Sequence, residues 1–554
     1  MNNYEVARVF FRIADMLEIK GDNPFKIRAY RKAAEAVYHL DEDLRILKEQ
    51  NRISQIPGIG KAVEDKINQL LDQGRLDYYE KLQGEVPPGV VDMTLVPGLG
   101  PRTAALIYRN LGIDNLDDLL KAAHTHQLRH LPGIGPRIEE NIIRGLEMLK
   151  KGRGKTTLGE ALPLGEHLCQ YLLQSGQVLR AQPVGSVRRG KPLVSDLDLL
   201  VATSDADARV LLDIVKGYPG LRVDHAEEQV IQGIILDRIP FEIIVVEEEE
   251  YWAALWWTTG SKEHRQAALG DRDRDFLRGS ESEAEVYKRL GLPFIPREIR
   301  ENRGEIEKAR EGRLPNLVSR EDIKGDLHVH SNWSDGLDRI QDIALAARSL
   351  GYEYIAITDH SRSLPISGGL NEDRLAAQGA VIDAVNQEQN IVVLKGIEVD
   401  ILKDGELDFS DEVLEKLDVV VASIHSHFKL EPEKQTERLV AAMKNPHVNI
   451  IGHLTGRLLN RRSGYGLDLD QVIATAAKTG TALEINSHPD RLDIDEEIAR
   501  QARDAGASIA INSDAHHRND LQMIRYGVTS ARRAWLESQD VINTWSLKDL
   551  RQRL

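Results

Sequence analysis

Cysteine is nearly absent: the one copy in 554 residues, Cys169, excludes an internal disulfide and reads as a small buried residue rather than a reactive thiol. Also absent is any run of about eighteen apolar residues, which excludes a membrane-spanning helix. The first twenty residues scatter Glu5, Arg8, Arg12, Asp15 and Glu18 through an amphipathic helical pattern, without the apolar centre of a signal peptide. A cytoplasmic protein with no membrane partner is expected. An excess of positive charge is lacking too, since the formal net charge is -16. That excess is uneven: about -1 over residues 1–150, about -3 over 151–320 and about -12 over 321–554. Carboxylates gathered around divalent cations would place negative charge at the C-terminal end without repelling a phosphate, so net charge does not exclude a polyanionic partner. At roughly 150 residues per domain, the length implies three or four folding units.

Three segments share one pattern: Ile56-Pro57-Gly58-Ile59-Gly60-Lys61, Val96-Pro97-Gly98-Leu99-Gly100-Pro101 and Leu131-Pro132-Gly133-Ile134-Gly135-Pro136. Each precedes a helical stretch. Proline with two glycines makes a tight turn whose backbone N–H groups, at a helix N-terminus, can hold a phosphate oxygen. A single copy would be an ordinary helix-helix turn, but three look like helix-hairpin-helix motifs. Gly58, Gly60, Gly98, Gly100, Gly133 and Gly135 are therefore candidate contacts to a DNA backbone, independent of base sequence. The first 150 residues are expected to be all helical.

The run Lys150 to Thr157 has the glycine and charge of a linker. After it, strand-like runs at Leu197 to Val201, Gly233 to Leu236 and Phe241 to Val246 suggest an α+β module. Charged residues dominate Arg297 to Arg320, as expected for helix and linker. Beyond Asp326, seven short apolar strands alternate with amphipathic helices: Leu327 to His330, Tyr354 to Thr358, Ile391 to Lys395, Val419 to Ser423, Val448 to Ile451, Ala482 to Ile485 and Ser508 to Asn512. This alternation predicts a closed or nearly closed β/α barrel.

Histidines and acids cluster at the C-terminal ends of those strands. His328 and His330 alternate on the first, Asp335 follows in a loop, Asp359-His360 ends the second, and Glu398, His425 and His453 end the third, fourth and fifth; Asp514 and His516 follow the seventh. In a β/α barrel these ends share one mouth. So many imidazoles and carboxylates would be costly together without cations to neutralise and coordinate them. His427, His488 and His517 lie close by in sequence, as outer-layer or plain surface histidines. The set resembles the PHP (polymerase and histidinol phosphatase) family. That resemblance implies up to three ions, zinc or manganese, with Glu398 bridging two, and phosphoester hydrolysis as the reaction.

Upstream, Gly185-Ser186-Val187-Arg188-Arg189-Gly190 precedes Ser195-Asp196-Leu197-Asp198-Leu199. Two carboxylates two apart on a strand face one side, which is the layout for holding Mg or Mn ions in nucleotidyl transfer. Gly185, Ser186 and Arg189 can receive a triphosphate through backbone, hydroxyl and guanidinium. Together with Arg12 to Tyr30 and Thr259-Gly260-Ser261, these segments resemble the family X DNA polymerases, and the whole chain resembles the bacterial members (PolX) that carry a C-terminal PHP domain. The resemblance adds Gly260 to the nucleotide site, Glu242 to Asp196 and Asp198 as the third catalytic carboxylate, and Lys66 as a Schiff-base lysine, against its plain reading as a solvated helix lysine. It implies dNTPs and gapped or 3′-recessed DNA as partners, and monomer as the oligomeric state.

Three departures stand out. Glu242 occupies the place of a third Asp, Trp257-Thr258 and Arg265 replace the family's Tyr-Phe and Asn, and Gln266 to Ser280 is shorter than the family's thumb. The expected architecture is thus an all-α helix-hairpin-helix N-terminal region (1–80 lyase-like, 81–152 fingers), an α+β nucleotidyltransferase-like palm (153–255) with a reduced thumb (256–300), a linker (301–322) and a C-terminal distorted (β/α)7 PHP barrel (323–554). Its expected function is DNA repair by gap-filling polymerase and 3′-5′ exonuclease. The rivals are a nuclease whose polymerase body only binds DNA and, further off, a small-molecule phosphatase.

Overall fold

A computed structural model describes residues 3–38, 40, 44–94, 96, 99–152, 155–236, 238–364 and 367–553, without the side chains of 4, 5 and 148–152. The chain divides into two compact units: Met1–Gly154 with Lys216–Leu221 and Asn460–Arg462, and Lys155–Val215 with Arg222–Leu459 and Ser463–Leu554. Among the described residues, no helix is long and apolar enough to cross a membrane.

The first unit is helical from Asn3–Lys20 to Pro136–Gly152. One apolar core runs from Val6 to Leu146, so the segments expected as lyase-like domain and fingers share their interior. The three hairpins repeat locally. In each, the N–H of the fourth residue donates to the carbonyl of the first: Ile59 to Ile56 at 3.0 Å, Leu99 to Val96 at 2.9 Å, Ile134 to Leu131 at 3.0 Å. Proline second and glycine third suit a turn that needs positive φ at its third position, and Gly58 (φ 87°) and Gly133 (φ 80°) adopt it. Ile59, Leu99 and Ile134 are buried anchors, while the helices begin at Lys61, Pro101 and Pro136, with proline where a missing N–H costs nothing. Gly98 lies outside the described residues.

In the second unit, a five-stranded sheet is built from β1 (Arg180–Pro183), β2 (Leu197–Thr203), β3 (Leu221–Ala226), β4 (Val230–Ile235) and β5 (Ile239–Glu247), in the order β1-β2-β5-β4-β3. β2 and β5 are parallel neighbours with Asp198 opposite Glu242. Then come β6 (Gly325–Val329), β7 (Tyr354–Ile357), β8 (Val392–Asp400), β9 (Val419–Ser423), β10 (Ile450–Ile451), β11 (Ala482–Asn486) and β12 (Ile509–Asn512), paired in sequence order. All six pairings are parallel. A parallel bridge between Val329 and Ala515 brings the two edges together, giving a nearly closed seven-stranded barrel. Its strands are buried on both faces, as parallel strands under helices must be.

The charged stretch from Arg297 to Arg320 contains the expected helix, Glu305–Arg310, and although most of its charges are exposed, Glu298, Arg300 and Glu305 are buried. Glu305 is fully buried against His264 (2.6 Å), and Glu301 pairs with Arg189 at 2.9 Å and Arg533 at 3.2 Å. The segment thus packs as part of the unit. Beside it, Glu283 joins Arg188 (2.7 Å) and Arg300 (2.6 Å). Burial opposes ionisation of Glu283, but the two guanidiniums outweigh it and hold the carboxyl down at about 2. Such a depressed carboxyl contributes stability that is complete above its unfolded value near 4.5 and is lost as pH falls toward 2. Glu283→Gln strands two buried cations and is expected to destabilise this unit by about 3–5 kcal/mol at pH 7, read by chemical denaturation.

Candidate active sites

The barrel mouth gathers all nine expected ligands. Glu398, on β8, sits at the centre, with His360 Nδ1 at 2.8 Å, His453 Nε2 at 2.9 Å, His425 Nε2 at 3.3 Å, His328 Nε2 at 3.4 Å and His330 Nε2 at 3.6 Å from its oxygens. Asp514 Oδ1 lies 3.1 Å from His330 Nε2, and Asp335 bridges toward His360 and His516, each at 3.5 Å. Three overlapping groups have ligand atoms within 4.8 Å of one another: His330, Asp335, His360 and His516; His328, His330 and Asp514; His360, Glu398 and His425. Two of these residues, His453 (φ 27°) and Asp514 (φ 55°), hold left-handed backbone conformations, the local strain that functional sites retain.

The donor chemistry fits cations. His328 Nε2, His330 Nδ1, His360 Nδ1, His453 Nδ1 and Glu398 Oε2 are buried without a hydrogen-bond partner. His360 Nδ1 and Glu398 Oε2 approach to 2.8 Å yet form no hydrogen bond, as lone pairs converging on a common point would. Behind the ring, second partners fix tautomers: the Nδ1 side of His328 faces Glu484 at 2.7 Å, that of His425 faces Asp400 at 2.7 Å, and that of His516 faces the Asp514 carbonyl at 2.8 Å. Each then turns Nε2 toward the cavity. Burial resists protonation of His360 and His425, but Glu398 with Asp335 or Asp400 prevails and raises them to about 10 and about 9. His330 goes the other way, to about 3, through burial and then repulsion from His516 and His360, whose rings lie 4.2 and 4.5 Å away.

Glu484, Asp400 and Arg491 escaped the sequence reading. Glu484 is fully buried on β11; besides His328 it accepts the His453 N–H at 2.7 Å and an Asn512 N–H at 2.9 Å. An acid in the apolar run Ala482-Leu483-Glu484-Ile485 was the available signal. Asp400 lay past the expected end of its strand, because β8 continues five residues beyond Lys395. Arg491 Nε stands 3.8 Å from Asp514. Of the flanking histidines, His517 caps the turn Arg518–Met523, His488 Nδ1 accepts from the Asp490 N–H, and the His427 carbonyl accepts from Gln435. Glu484→Gln removes the carboxylate behind two ligands and is expected to weaken metal affinity about 10–100-fold, measured by titration with a chelator.

In the palm, Asp198 and Glu242 line a cleft of about 480 Å³ with Trp257, Thr258, Arg265 and Arg274. Asp196 is exposed beside it. Burial, then the charges of Asp196 and Glu242, push Asp198 up to about 7. Partial desolvation by the cleft wall, then the charge of Glu242, also raise Asp196. A carboxyl group that resists ionising next to its neighbours is one that a cation would discharge. Glu242 also accepts from Gln232 at 2.5 Å, and these three acids are not among the groups whose ligand atoms converge within 4.8 Å.

Gly185 (φ 58°) opens the short helix Gly185–Arg188, where any Cβ would collide with the Asp198 carboxylate. The Ser186 hydroxyl beside it is buried without a partner, and Gly260 is buried at the end of helix Tyr251–Thr259. Arg189 departs from expectation: it is buried, with Nη1 donating to the Thr259 carbonyl at 2.6 Å and Nε to Glu301 at 2.9 Å. The replacements Trp257 and Arg265 stack on each other, the guanidinium 4.4 Å from the ring centroid and Arg274 at 5.4 Å.

In the helical unit, Gly58, Gly60, Gly100 and Gly133 are exposed and Gly135 is half-buried. A Cβ at Gly60, Gly100, Gly133 or Gly135 would meet nothing within 4 Å. The open side of each turn is therefore not filled by the protein's own packing. Gly133→Ala introduces no clash, so its cost is conformational, about 1–2 kcal/mol for a left-handed residue, measurable by urea unfolding. Lys66 donates to the Ala62 carbonyl at 2.9 Å and lies 5.3 Å from the Tyr78 ring. Burial, with help from Lys26, lowers its pKa.

Tandem helix-hairpin-helix elements, a mixed sheet with a carboxylate cleft and a histidine-rich barrel mouth define a multidomain phosphoester-processing protein of the nucleic-acid class. A helix-hairpin-helix domain matches residues 1–76, a SAM-like helix-hairpin-helix tandem residues 90–148, and the PHP domain residues 326–488. The chain is 39% identical over 571 residues, covering 99% of both chains, to the DNA polymerase/3′-5′ exonuclease PolX of Bacillus subtilis (strain 168), and it belongs to the PolX family. A probable phosphatase of Thermoanaerobacter sp. (strain X514) is 30% identical over 231 residues, 40% of this chain and 89% of that protein. Another, from Caldanaerobacter subterraneus subsp. tengcongensis, is 32% identical over 203 residues, 34% and 75% respectively.

Proposed function

We propose that this chain is a bifunctional DNA repair enzyme, a gap-filling polymerase joined to a metal-dependent 3′-5′ exonuclease. The gathering of five imidazoles around Glu398, with Asp335, Asp514 and His516 beside them and buried ligand atoms left unpaired, carries the nuclease half. Manganese or zinc, up to three ions, suits that mixed donor set. Bound there, such ions would supply a hydroxide nucleophile at neutral pH and charge stabilisation for the phosphate. The protein's own part is to hold them through His328, His330, Asp335, His360, Glu398, His425, His453, Asp514 and His516. Arg491 offers a guanidinium beside Asp514 to a phosphate oxygen.

For the polymerase half, Asp196, Asp198 and Glu242 would hold Mg or Mn, and Ser186 and the Gly185 and Gly260 backbones would meet a dNTP. The three hairpins would grip gapped or 3′-recessed DNA without reading bases, in a monomeric, cytoplasmic enzyme. Lys66, with its lowered pKa, would form a Schiff base with an abasic sugar. Borohydride trapping that is equal in wild type and Lys66→Ala would remove that role.

Labelled gapped DNA, with and without dNTPs and Mn, tests the whole reading. Asp196→Ala should lose extension and keep trimming, and His328→Ala should do the reverse. Extension that survives Asp196→Ala would sink the polymerase assignment, and trimming that survives His328→Ala the nuclease one. A second reading, a nuclease whose palm only binds DNA, is favoured by Glu242 being tied to Gln232. It predicts no template-directed incorporation by the wild type.

A further inference from the structure

A second cavity, of about 420 Å³, shares no lining residue with the carboxylate cleft or with the histidine cluster of the barrel mouth. Its walls come from the palm helix Gly185–Arg188, the segment Glu283 to Arg300, the turn Arg320–Asp322 and the helix Ile524–Arg533. Six arginines line it: Arg188, Arg297, Arg300, Arg320, Arg525 and Arg532. Glu283, Glu298 and Glu321 share the lining and Glu166 pairs with Arg525 at 3.5 Å from outside it, so the six guanidiniums outnumber these acids by two in a chain whose net charge is -16. Such a focus of one sign attracts a counter-charge.

The ion pairs leave donors over. Arg188 gives its two terminal nitrogens to Glu283, and its Nε is buried with no acceptor. Arg300 gives Nη1 to Glu283 and Nε to the Ile295 carbonyl, and its Nη2 is likewise buried with no acceptor. An N–H hidden from water without an acceptor costs about 1–3 kcal/mol, so Glu283 leaves the charge of this guanidinium pair incompletely satisfied. Guanidinium groups match phosphate geometry better than ammonium groups do. At the rim, Phe294 is 47% exposed, a flat apolar face with the Arg300 guanidinium 5.5 Å from its centroid.

We propose that this cavity binds a free nucleoside phosphate, its phosphates among the arginines and its base against Phe294. An open cleft of this size admits a small molecule, and neither active site uses it. The full, metal-loaded chain photolabelled with 8-azido-ADP and mapped by peptide analysis is expected to carry label on residues 292–300, apart from any label near Trp257. The rim residues Arg297 and Arg525 are 50% and 45% exposed in their side chains, so the variant Arg297→Ala/Arg525→Ala keeps its fold. It should lose at least about tenfold of the 292–300 label while label near Trp257 stays constant. Phe294→Ala should weaken labelling too, and inorganic pyrophosphate should compete. Label confined to the Trp257 cleft, label indifferent to the double variant or to Phe294→Ala, or competition by 5′-phosphorylated DNA but not by pyrophosphate would each overturn the proposal.

Discussion

Glu398→Gln is expected to lower Mn-dependent removal of 3′-terminal nucleotides by about a thousandfold while leaving primer extension within about twofold. The first figure follows from several kcal/mol of charge stabilisation by the metal centre, at 1.36 kcal/mol per tenfold. Glu398 is the acid that five imidazoles approach within 3.6 Å, and glutamine keeps its shape while removing the charge that draws cations in. Metal content by mass spectrometry should fall in the same variant. Full trimming with a full complement of ions would remove Glu398 from the centre of the site.

Gly185→Ala is expected to lower primer extension about a hundredfold and leave trimming unchanged. Its φ of 58° strains any L side chain, and the new methyl collides with the Asp198 carboxylate. A displacement of about 1 Å at a reacting centre costs about that factor. Steady-state kinetics on gapped DNA would show it, and the thermal transition of the chain would separate a local effect from unfolding. An unchanged extension rate would mean that Gly185 and Asp198 do not belong to the nucleotide site.

How much of this was legible beforehand can be argued from particular residues. The expected metal ligands were legible as a group because most lie at or just past the end of a strand in a regular β/α alternation, and barrel topology carries strand ends to one mouth. Asp400 and Glu484 were not. A carboxylate buried in an apolar strand has no local pattern to mark it, and it becomes meaningful only when His425 or His328, distant in sequence, arrives against it. Arg189 illustrates the converse: its motif resembles a phosphate contact, while the fold commits it to Glu301 and the Thr259 carbonyl. Glu298 and Glu301, in a stretch expected as helix and linker, pair with Arg532 and Arg189 and went unread for the same reason, since partners more than a hundred residues apart leave no local trace.

By itself the sequence determined the alternation that makes a barrel, the three proline-glycine turns with their positive-φ requirement, and the kinds of ligand atom available to cations. Those properties are local, set by backbone sterics and side-chain period. Tertiary structure alone decided which nitrogen of each histidine faces the cavity, which carboxylates stand behind the ligands, and where six arginines outnumber their acids, because each depends on distances between residues that only the folded chain brings together.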